Sequence, residues 1–170
     1  SGKSTALCTL VLSAAATTAP DHLSVYIVVL GGGLLQSVSA LPHVGGVARR
    51  GEDERVRRTV AEVESERRRR EAAFREAGIT SVDQARRRTV ERDGRQTPEF
   101  PDVLLVIDGW QAFRTEYEDL EQLVLGLAAD GRPTASTWCS RRAAGRTFGR
   151  PCATRWAPGS SSAWATPRTR

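Results

Sequence analysis

The feature that most constrains the fold is a pair of short apolar runs, each ending at residues that break a strand. The first run, Leu23–Leu30, is rich in β-branched side chains and is followed by three consecutive glycines. The second run, Val103–Asp108, is followed by Gly109. Uninterrupted apolar runs of this length are typical of strands buried on both faces of a parallel sheet. The sequence therefore predicts an α/β protein.

Helical patterns alternate with these strands, as expected for an α/β sheet. An apolar segment from Ala6 to about Ala16 precedes the first strand. One helix is predicted after the second strand, with an apolar face made by Phe113, Tyr117, Leu120, Val124 and Leu127. The segments Leu41–Val47 and Gly94–Pro101 are predicted as loops.

A long charged helix is predicted between the two strands, from a stripe of residues spaced three and four apart. The stripe consists of Val56, Val60, Val63, Arg67, Arg70, Phe74 and Ala77. Because Arg67 and Arg70 interrupt it, we expect the middle of this helix to be solvated. Glutamates flank both arginines, which favours an exposed helix with ion pairs over a nucleic-acid patch.

The charge of the chain divides at residue 131. The whole chain carries a net charge of +5, but residues 1–131 carry −3 and residues 132–170 carry +8. We therefore predict one domain over residues 1–131 and a low-complexity basic tail over residues 132–170. The overall positive charge would suggest a nucleic-acid partner, but the acidic body argues against one.

The tail lacks the residues that build a core. Residues 132–170 contain no Leu, Ile, Val, Asp, Glu or Lys. One interpretation is a disordered basic tail that binds nucleic acid through Trp138, Trp156 and Trp164. The favoured interpretation is that the coding DNA is read one base out of frame. When GC-rich codons are shifted by one base, the tail encodes AYGVHVVLSAGRW and then an amphipathic helix. In the printed frame we expect no strand or helix beyond residue 131.

The chain opens on Gly2, Lys3, Ser4 and Thr5, which match the end of the phosphate-binding motif GxxxxGK[ST]. In such a loop the backbone N–H groups at a helix N-terminus bind phosphate. Lys3 is predicted to contact the β- and γ-phosphates, Ser4 to hold Mg²⁺, and Thr5 to approach the α-phosphate. The motif is short and can occur by chance, but Lys3 is the single lysine of the chain and a helix is predicted directly after it.

Asp108 ends the second apolar strand, which is the position of a Walker B aspartate that holds Mg²⁺. The alternative is an aspartate that merely ends the strand. The next residue is Gly109, where ATPases that hydrolyse usually carry a glutamate that polarises water. No catalytic residue is therefore assigned, and we expect nucleotide binding with slow or no turnover.

Four separated segments resemble a known family. They are Tyr26–Gly33, Leu41–Ala48, Arg55–Val63 and Val106–Trp110. In this order they resemble an FtsK/SpoIIIE-type ATPase domain of the EccC component of type VII (ESX) secretion systems. The resemblance covers residues 1–131 and is strongest to the later, degenerate ATPase modules of EccC. One departure is Val29, where the family often carries an aspartate.

The resemblance implies a P-loop NTPase fold of the RecA/FtsK type, with helices flanking a parallel sheet of strand order 5-1-4-3-2. It implies ATP and Mg²⁺ as ligands, other ATPase modules as partners in a hexamer, and WXG100-type secreted proteins as substrates. It also implies a membrane-anchored parent protein at the cytoplasmic face of the membrane, although this chain shows no transmembrane segment. The alternative is an FtsK-class translocase that moves DNA at the expense of ATP.

The family fold is expected to be incomplete in this chain. Strand 1 and the first glycine of the phosphate loop would precede Ser1, and strands 4 and 5 would fall in the altered frame. Only two adjacent strands, around Tyr26–Leu30 and Val103–Ile107, are then predicted. A two-stranded sheet is marginally stable. We therefore expect the chain as printed to bind ATP poorly or not at all.

Overall fold

A computed structural model describes residues 2–130 and 136–140 of the chain. The helices and strands follow one another in an α/β succession that begins with a helix. In chain order they are α1 (Gly2–Thr17), β1 (Leu23–Val29), a 3₁₀ helix (Gly33–Val38), β2 (Val44–Arg49), α2 (Asp53–Glu76), α3 (Val82–Arg86), β3 (Thr89–Arg92), β4 (Arg95–Pro98), β5 (Asp102–Asp108), α4 (Trp110–Glu116), α5 (Glu118–Asp130) and β6 (Ser136–Ser140).

The two predicted buried strands are adjacent and parallel at the centre of the sheet. The sheet has the order β2-β1-β5-β6, and all its strand pairs are parallel. β1 and β5 pair without interruption, from Leu23 opposite Asp102 to Val29 opposite Asp108. Because parallel strands end at the same edge, the glycines that follow β1 lie beside the residues that follow β5.

Both faces of the central strands are covered by helices. Alternate side chains of a strand point to opposite faces, so Val25 and Ile27 face one layer and Val28 faces the other. The first layer contains α1 and the 3₁₀ helix, and the second contains α2, α4 and α5. Burial on both sides explains why the two runs are apolar apart from Ser24 and the terminal Asp108.

Two segments predicted as loops contain strands. Val44–Arg49 forms β2 at one edge of the sheet, where an added Cβ on Gly45 would lie 3.3 Å from the Tyr26 ring. The glycine therefore permits the close approach of β2 to β1. Residues 89–98 form the antiparallel hairpin β3–β4. Its two-residue turn, Asp93 and Gly94, has positive φ at both positions, a pairing that the Asp-Gly dipeptide favours.

The prediction that the middle of α2 is solvated is wrong. The side chain of Arg70 is 1% exposed, and its Nε donates to Oε1 of Glu66 at 2.7 Å. Its Nη2 donates to the carbonyl oxygen of Pro101. Arg67 is 16% exposed and pairs with Glu64 and Glu71. Buried guanidinium groups are tolerated when hydrogen-bond partners replace water, and here these partners lie within reach.

The single helix predicted after β5 is two helices, α4 and α5. The break lies at Tyr117, whose φ of −132° and ψ of 55° are not helical. The Tyr117 side chain nevertheless remains on the predicted apolar face and is 2% exposed. Its hydroxyl donates to Oδ1 of Asp53 at 2.6 Å, which joins the break to the first turn of α2.

The Tyr117 contact predicts a loss of stability at alkaline pH. Burial and the hydrogen bond to Asp53 raise the pKa of Tyr117 to about 12. A raised pKa favours the neutral phenol in the folded state, so its contribution is complete below the unfolded-state pKa of about 10 and is lost as the pH rises to about 12. Urea unfolding should show a steeper loss of stability over this pH range for the wild type than for Tyr117→Phe. Identical pH profiles for the two proteins would contradict the assignment.

The prediction that no strand forms beyond residue 131 is wrong for one segment. Ser136–Ser140 forms β6, which pairs with β5 from Val103 opposite Ser136 to Ile107 opposite Ser140. Within the described residues the sheet therefore has four strands rather than the predicted two. β1, β5 and β6 take the places of strands 2, 3 and 4 in the implied order. This segment also coincides with the VHVVL stretch of the shifted frame. Residues 131–135 and 141–170, which hold most of the predicted tail, lie outside the described residues.

Candidate functional site

One hydrogen bond joins the two residues that the sequence predicts as magnesium ligands. Ser4 lies in the first turn of α1, and Asp108 is the last residue of β5. The Ser4 hydroxyl donates to Oδ2 of Asp108 at 2.9 Å, and the two residues are 8% and 7% exposed. The fold thus brings together two oxygen-bearing side chains that are 104 positions apart in the chain.

The N-terminus of α1 supplies positive potential to the same place. The first N–H groups of a helix lack helical acceptors, and the helix dipole is positive at this end. The exposed Lys3 adds a full charge one residue before Ser4. α1 has 16 residues and packs on the sheet through Leu7 and Val11. That packing holds its N-terminus at the carboxyl edge of β1 and β5.

A cavity of about 200 Å³ lies at this edge. Its walls come from the start of α1, the glycines after β1, the end of β5 and the start of α4. The lining residues are Lys3, Ser4, Leu7, Gly31, Gly32, Ile107, Asp108, Gly109, Trp110 and Gln111. A lysine, a helix N-terminus and two oxygen ligands suit an anionic phosphate accompanied by Mg²⁺.

Glycines allow the two strand ends to pack directly against each other. The N–H of Leu30 donates to the carbonyl oxygen of Asp108 at 2.8 Å. A Cβ on Gly31 would lie 3.4 Å from Oδ2 of Asp108. Gly109 has a φ of +94°, and a Cβ there would lie 3.0 Å from both the Gly31 nitrogen and the Leu30 carbonyl carbon. Position 109 therefore strongly disfavours a side chain, including the glutamate that hydrolysing ATPases carry.

Three of the five predicted site residues line the cavity and two do not. Lys3, Ser4 and Asp108 line it together. Gly2 begins α1 and is exposed, and it does not line the cavity. Thr5 is also exposed and outside the lining, and its carbonyl oxygen accepts a bond from the Thr9 hydroxyl at 3.0 Å. Roles for Gly2 and Thr5 remain predictions.

One residue of the site, Gln111, was not predicted from the sequence. Gln111 lines the cavity. It lies three residues after Asp108, in the first turn of α4. Val29, at which the family often has an aspartate, is 4% exposed and packs in the α1-side core. Its side chain is therefore part of the core in this chain.

A larger groove of about 920 Å³ lies beside β2 and the start of α2. Its lining residues are Gly45, Gly46, Gly51, Glu52, Asp53, Glu54, Arg55, Arg58, Thr59 and Glu62. Four carboxylates against two guanidinium groups would repel a polyphosphate. The smaller cavity is therefore the candidate nucleotide site.

Of the helices in the described part of the chain, none combines the length and the apolar character needed to cross a bilayer.

Comparison with known proteins agrees with this architecture. The FtsK/SpoIIIE family profile matches residues 1–131. The ESX-1 secretion system protein EccCb1 of Mycolicibacterium smegmatis is 49% identical over 132 residues, which cover 76% of this chain and 22% of that protein. The chain thus spans about a fifth of the length of this relative.

Solved structures extend the similarity to the fold. The cytoplasmic domain of the type VII secretion ATPase EccC from Thermomonospora curvata matches with a TM-score of 0.69 and 40% identity, over 78% of this chain and 15% of that one. ATPases 2 and 3 of the same protein, in complex with a signal sequence peptide, match with a TM-score of 0.70 at 40% identity, over 78% of this chain and 24% of that one. These matches confirm the parallel P-loop ATPase fold and the resemblance to EccC, and the chain belongs to the FtsK/SpoIIIE family.

Proposed function

We propose that this chain is a nucleotide-binding module of a type VII protein-secretion ATPase, which binds ATP with Mg²⁺ and turns it over slowly or not at all. The observation that carries the proposal is the buried contact between Ser4 and Asp108 at the N-terminus of α1. Similarity to EccC proteins of ESX secretion systems supports the secretion context.

The residues present suit Mg-ATP. Lys3 would neutralise the β- and γ-phosphates, and Gly2 and Thr5 would contribute at the start of α1. Ser4 and Asp108 would hold the metal, directly or through water, in the place where their own hydrogen bond now lies. Bound Mg²⁺ would neutralise charge that develops on the phosphates during transfer.

Slow turnover follows from the residue after Asp108. A carboxylate at position 109 would be the natural general base, but Gly109 has no side chain, and its φ of +94° and tight backbone contacts disfavour one. Proton removal by a positioned base contributes about a hundredfold or more to a rate. A site without this base is suited to binding ATP and releasing it largely unhydrolysed.

The proposed partners follow from the relatives. ATPases 2 and 3 of the T. curvata protein have been solved with a signal sequence peptide. We propose that this module likewise works beside other ATPase modules, in a hexamer at the cytoplasmic face of the membrane, on WXG100-type secreted proteins. A DNA translocase is the less favoured function, because the named relatives are secretion proteins and residues 1–131 carry a net charge of −3.

Calorimetry with Mg-ATP on the 170-residue chain and its Lys3→Ala variant tests the nucleotide site. We expect the wild type to bind with a dissociation constant in roughly the millimolar range. Lys3→Ala should weaken binding about tenfold or more, because the phosphates lose a charged contact. Thr9→Ala, on the exposed face of α1, serves as the control and should bind as the wild type does. Equal affinity in the wild type and Lys3→Ala would contradict the proposed site.

A further inference from the structure

Gln111 is a polar residue of the cavity that the proposed Mg-ATP contacts do not use. It is exposed and lines the cavity with Lys3, Ser4 and Asp108. Its backbone carbonyl accepts a bond from the Thr115 hydroxyl at 3.1 Å. Within the residues that the structure describes, its side-chain amide forms no hydrogen bond. The amide is therefore free to reach into the cavity.

The backbone that carries Gln111 is held firmly. Trp110 is 3% exposed and stacks on Phe113, with ring centroids 5.5 Å apart and an interplanar angle of 14°. The N–H of Phe113 donates to the carbonyl oxygen of Gly109 at 3.0 Å. These contacts anchor the start of α4 against the core, so the base of the Gln111 side chain has a defined position beside the cavity.

Position 109 cannot provide the group that acts on water, because glycine has no side chain, and its φ of +94° and close contacts with Leu30 and Gly31 disfavour any other residue there. The next side chain, Trp110, is buried in the core. Trp110 also lines the cavity, but its indole has only an N–H donor, so Gln111 is the first side chain after Asp108 that can both accept a hydrogen bond from water and donate one to phosphate.

We propose that Gln111 positions the attacking water at the terminal phosphate of bound ATP. This inference rests on the proposed nucleotide site. A side-chain amide can accept a hydrogen bond from the water and donate one to a phosphate oxygen. It cannot take the proton of the water, which agrees with slow turnover. A glutamine orients the attacking water in the same manner in GTPases.

The reaction that Gln111 assists balances without a further reactant. The water oxygen forms a bond to the γ-phosphorus, and the bond between that phosphorus and the β–γ bridging oxygen breaks. The electron pair of the broken bond leaves on ADP. The proton of the water passes to the released phosphate or to solvent, since no carboxylate accepts it.

The first measurement compares two ligands of the 170-residue chain by calorimetry in the presence of Mg²⁺. One is a non-hydrolysable ATP analogue, which mimics the ground state, and the other is ADP with aluminium fluoride, which mimics the transferring phosphoryl group with its water. Gln111→Ala should weaken binding of the second ligand about tenfold and leave binding of the first unchanged, because the amide acts on the water. Gln122→Ala, an exposed glutamine on α5, is the matched control and should change neither affinity.

The second measurement uses Gln111→Glu, which places a general base where the amide stands. We expect about a tenfold or greater rise in kcat at neutral pH with little change in KM. The rate should acquire an acid limb, falling below a pH of about 4 to 5 as the new carboxylate is protonated. The wild type lacks this limb.

The outcomes separate the inference from the function on which it rests. If neither nucleotide ligand binds and Lys3→Ala changes nothing, the proposed nucleotide site is wrong and the inference falls with it. If the ATP analogue binds but Gln111→Ala weakens both ligands equally, Gln111 contacts the nucleotide and does not position water. If Gln111→Ala changes neither affinity and Gln111→Glu leaves kcat unchanged, the inference is overturned while the nucleotide site stands.

Discussion

Replacing Gly109 with glutamate should destabilise the fold rather than restore hydrolysis. A residue with a Cβ at a φ of +94° is strained, and its Cβ would lie 3.0 Å from two backbone atoms of the neighbouring strand end. Backbone strain and overpacking each cost about 1 to 3 kcal/mol, so Gly109→Ala alone should lower the free energy of unfolding by about 3 kcal/mol. Gly109→Glu should lose at least as much, and hydrolysis should not rise.

Urea unfolding of the glycine variants provides the measurement. Gly126 is the matched control, because it lies inside α5 and a Cβ there would meet no atom within 4 Å. Gly126→Ala should raise stability by about 0.5 to 1 kcal/mol through helix propensity alone. A Gly109→Glu variant that is as stable as the wild type and hydrolyses ATP rapidly would refute the steric explanation for the missing glutamate.

Loss of Arg70 should have an effect of similar size, although Arg70 lies far from the nucleotide cavity. Its buried guanidinium bonds to Glu66 and to the carbonyl oxygen of Pro101, just before β5 begins. Burial alone raises the pKa of Glu66, but Arg69 and Arg70 outweigh it and the net pKa is lowered. Removing one partner of a buried ion pair costs about 3 to 5 kcal/mol. Because Glu66 keeps Arg69, we expect Arg70→Met to cost about 3 kcal/mol.

Arg68→Met is the matched control for Arg70→Met on the same helix. Arg68 also pairs with a glutamate four residues earlier, Glu64, but its side chain is 71% exposed. Exposed ion pairs contribute about 0 to 1 kcal/mol, so the control should remain within about 0.5 kcal/mol of the wild type. Equal losses in the two variants would mean that Arg70 stabilises α2 by its charge alone and not by its buried contacts.

Local sequence patterns predicted the secondary structure where the backbone preference of a segment and the burial of its side chains point to the same element. The runs that became β1 and β5 are apolar on both faces, and such runs have few other stable environments. The Gly-Lys-Ser-Thr segment likewise predicted both a helix start and a phosphate site. Asp108 was assigned to the same site because it ends an apolar strand, as a Walker B aspartate does. The structure brings Ser4 and Asp108 into contact.

The wrong predictions came from residues whose environment is set by distant partners. Arg70 interrupts an apolar stripe and predicted a solvated surface, yet Pro101 lies over it and accepts its hydrogen bond. Gly45 and Gly46 are poor strand residues, yet they lie in β2, where the absence of a Cβ at Gly45 lets the backbone run close to the Tyr26 ring of β1. A one-dimensional pattern cannot contain this information, since each partner comes from another part of the chain.

Position 109 shows most directly what a sequence pattern cannot predict. In the sequence, Gly109 stands where hydrolysing ATPases carry a glutamate, and the lack of that carboxylate predicts slow hydrolysis of ATP. The packing of Leu30 and Gly31 on Asp108 and Gly109 gives this absence a structural reason, because a side chain at a φ of +94° would be strained and its Cβ would lie 3.0 Å from the neighbouring backbone. Periodicity and motif spacing were therefore enough to predict the two central strands and the first helix, which depend on local preference, and they named Ser4 and Asp108, which the fold brings into contact; their role as metal ligands stays a prediction. The buried arginine, the edge strand and the disfavoured side chain at position 109 depend on contacts between segments that lie far apart in the chain, and these exist only in the folded molecule.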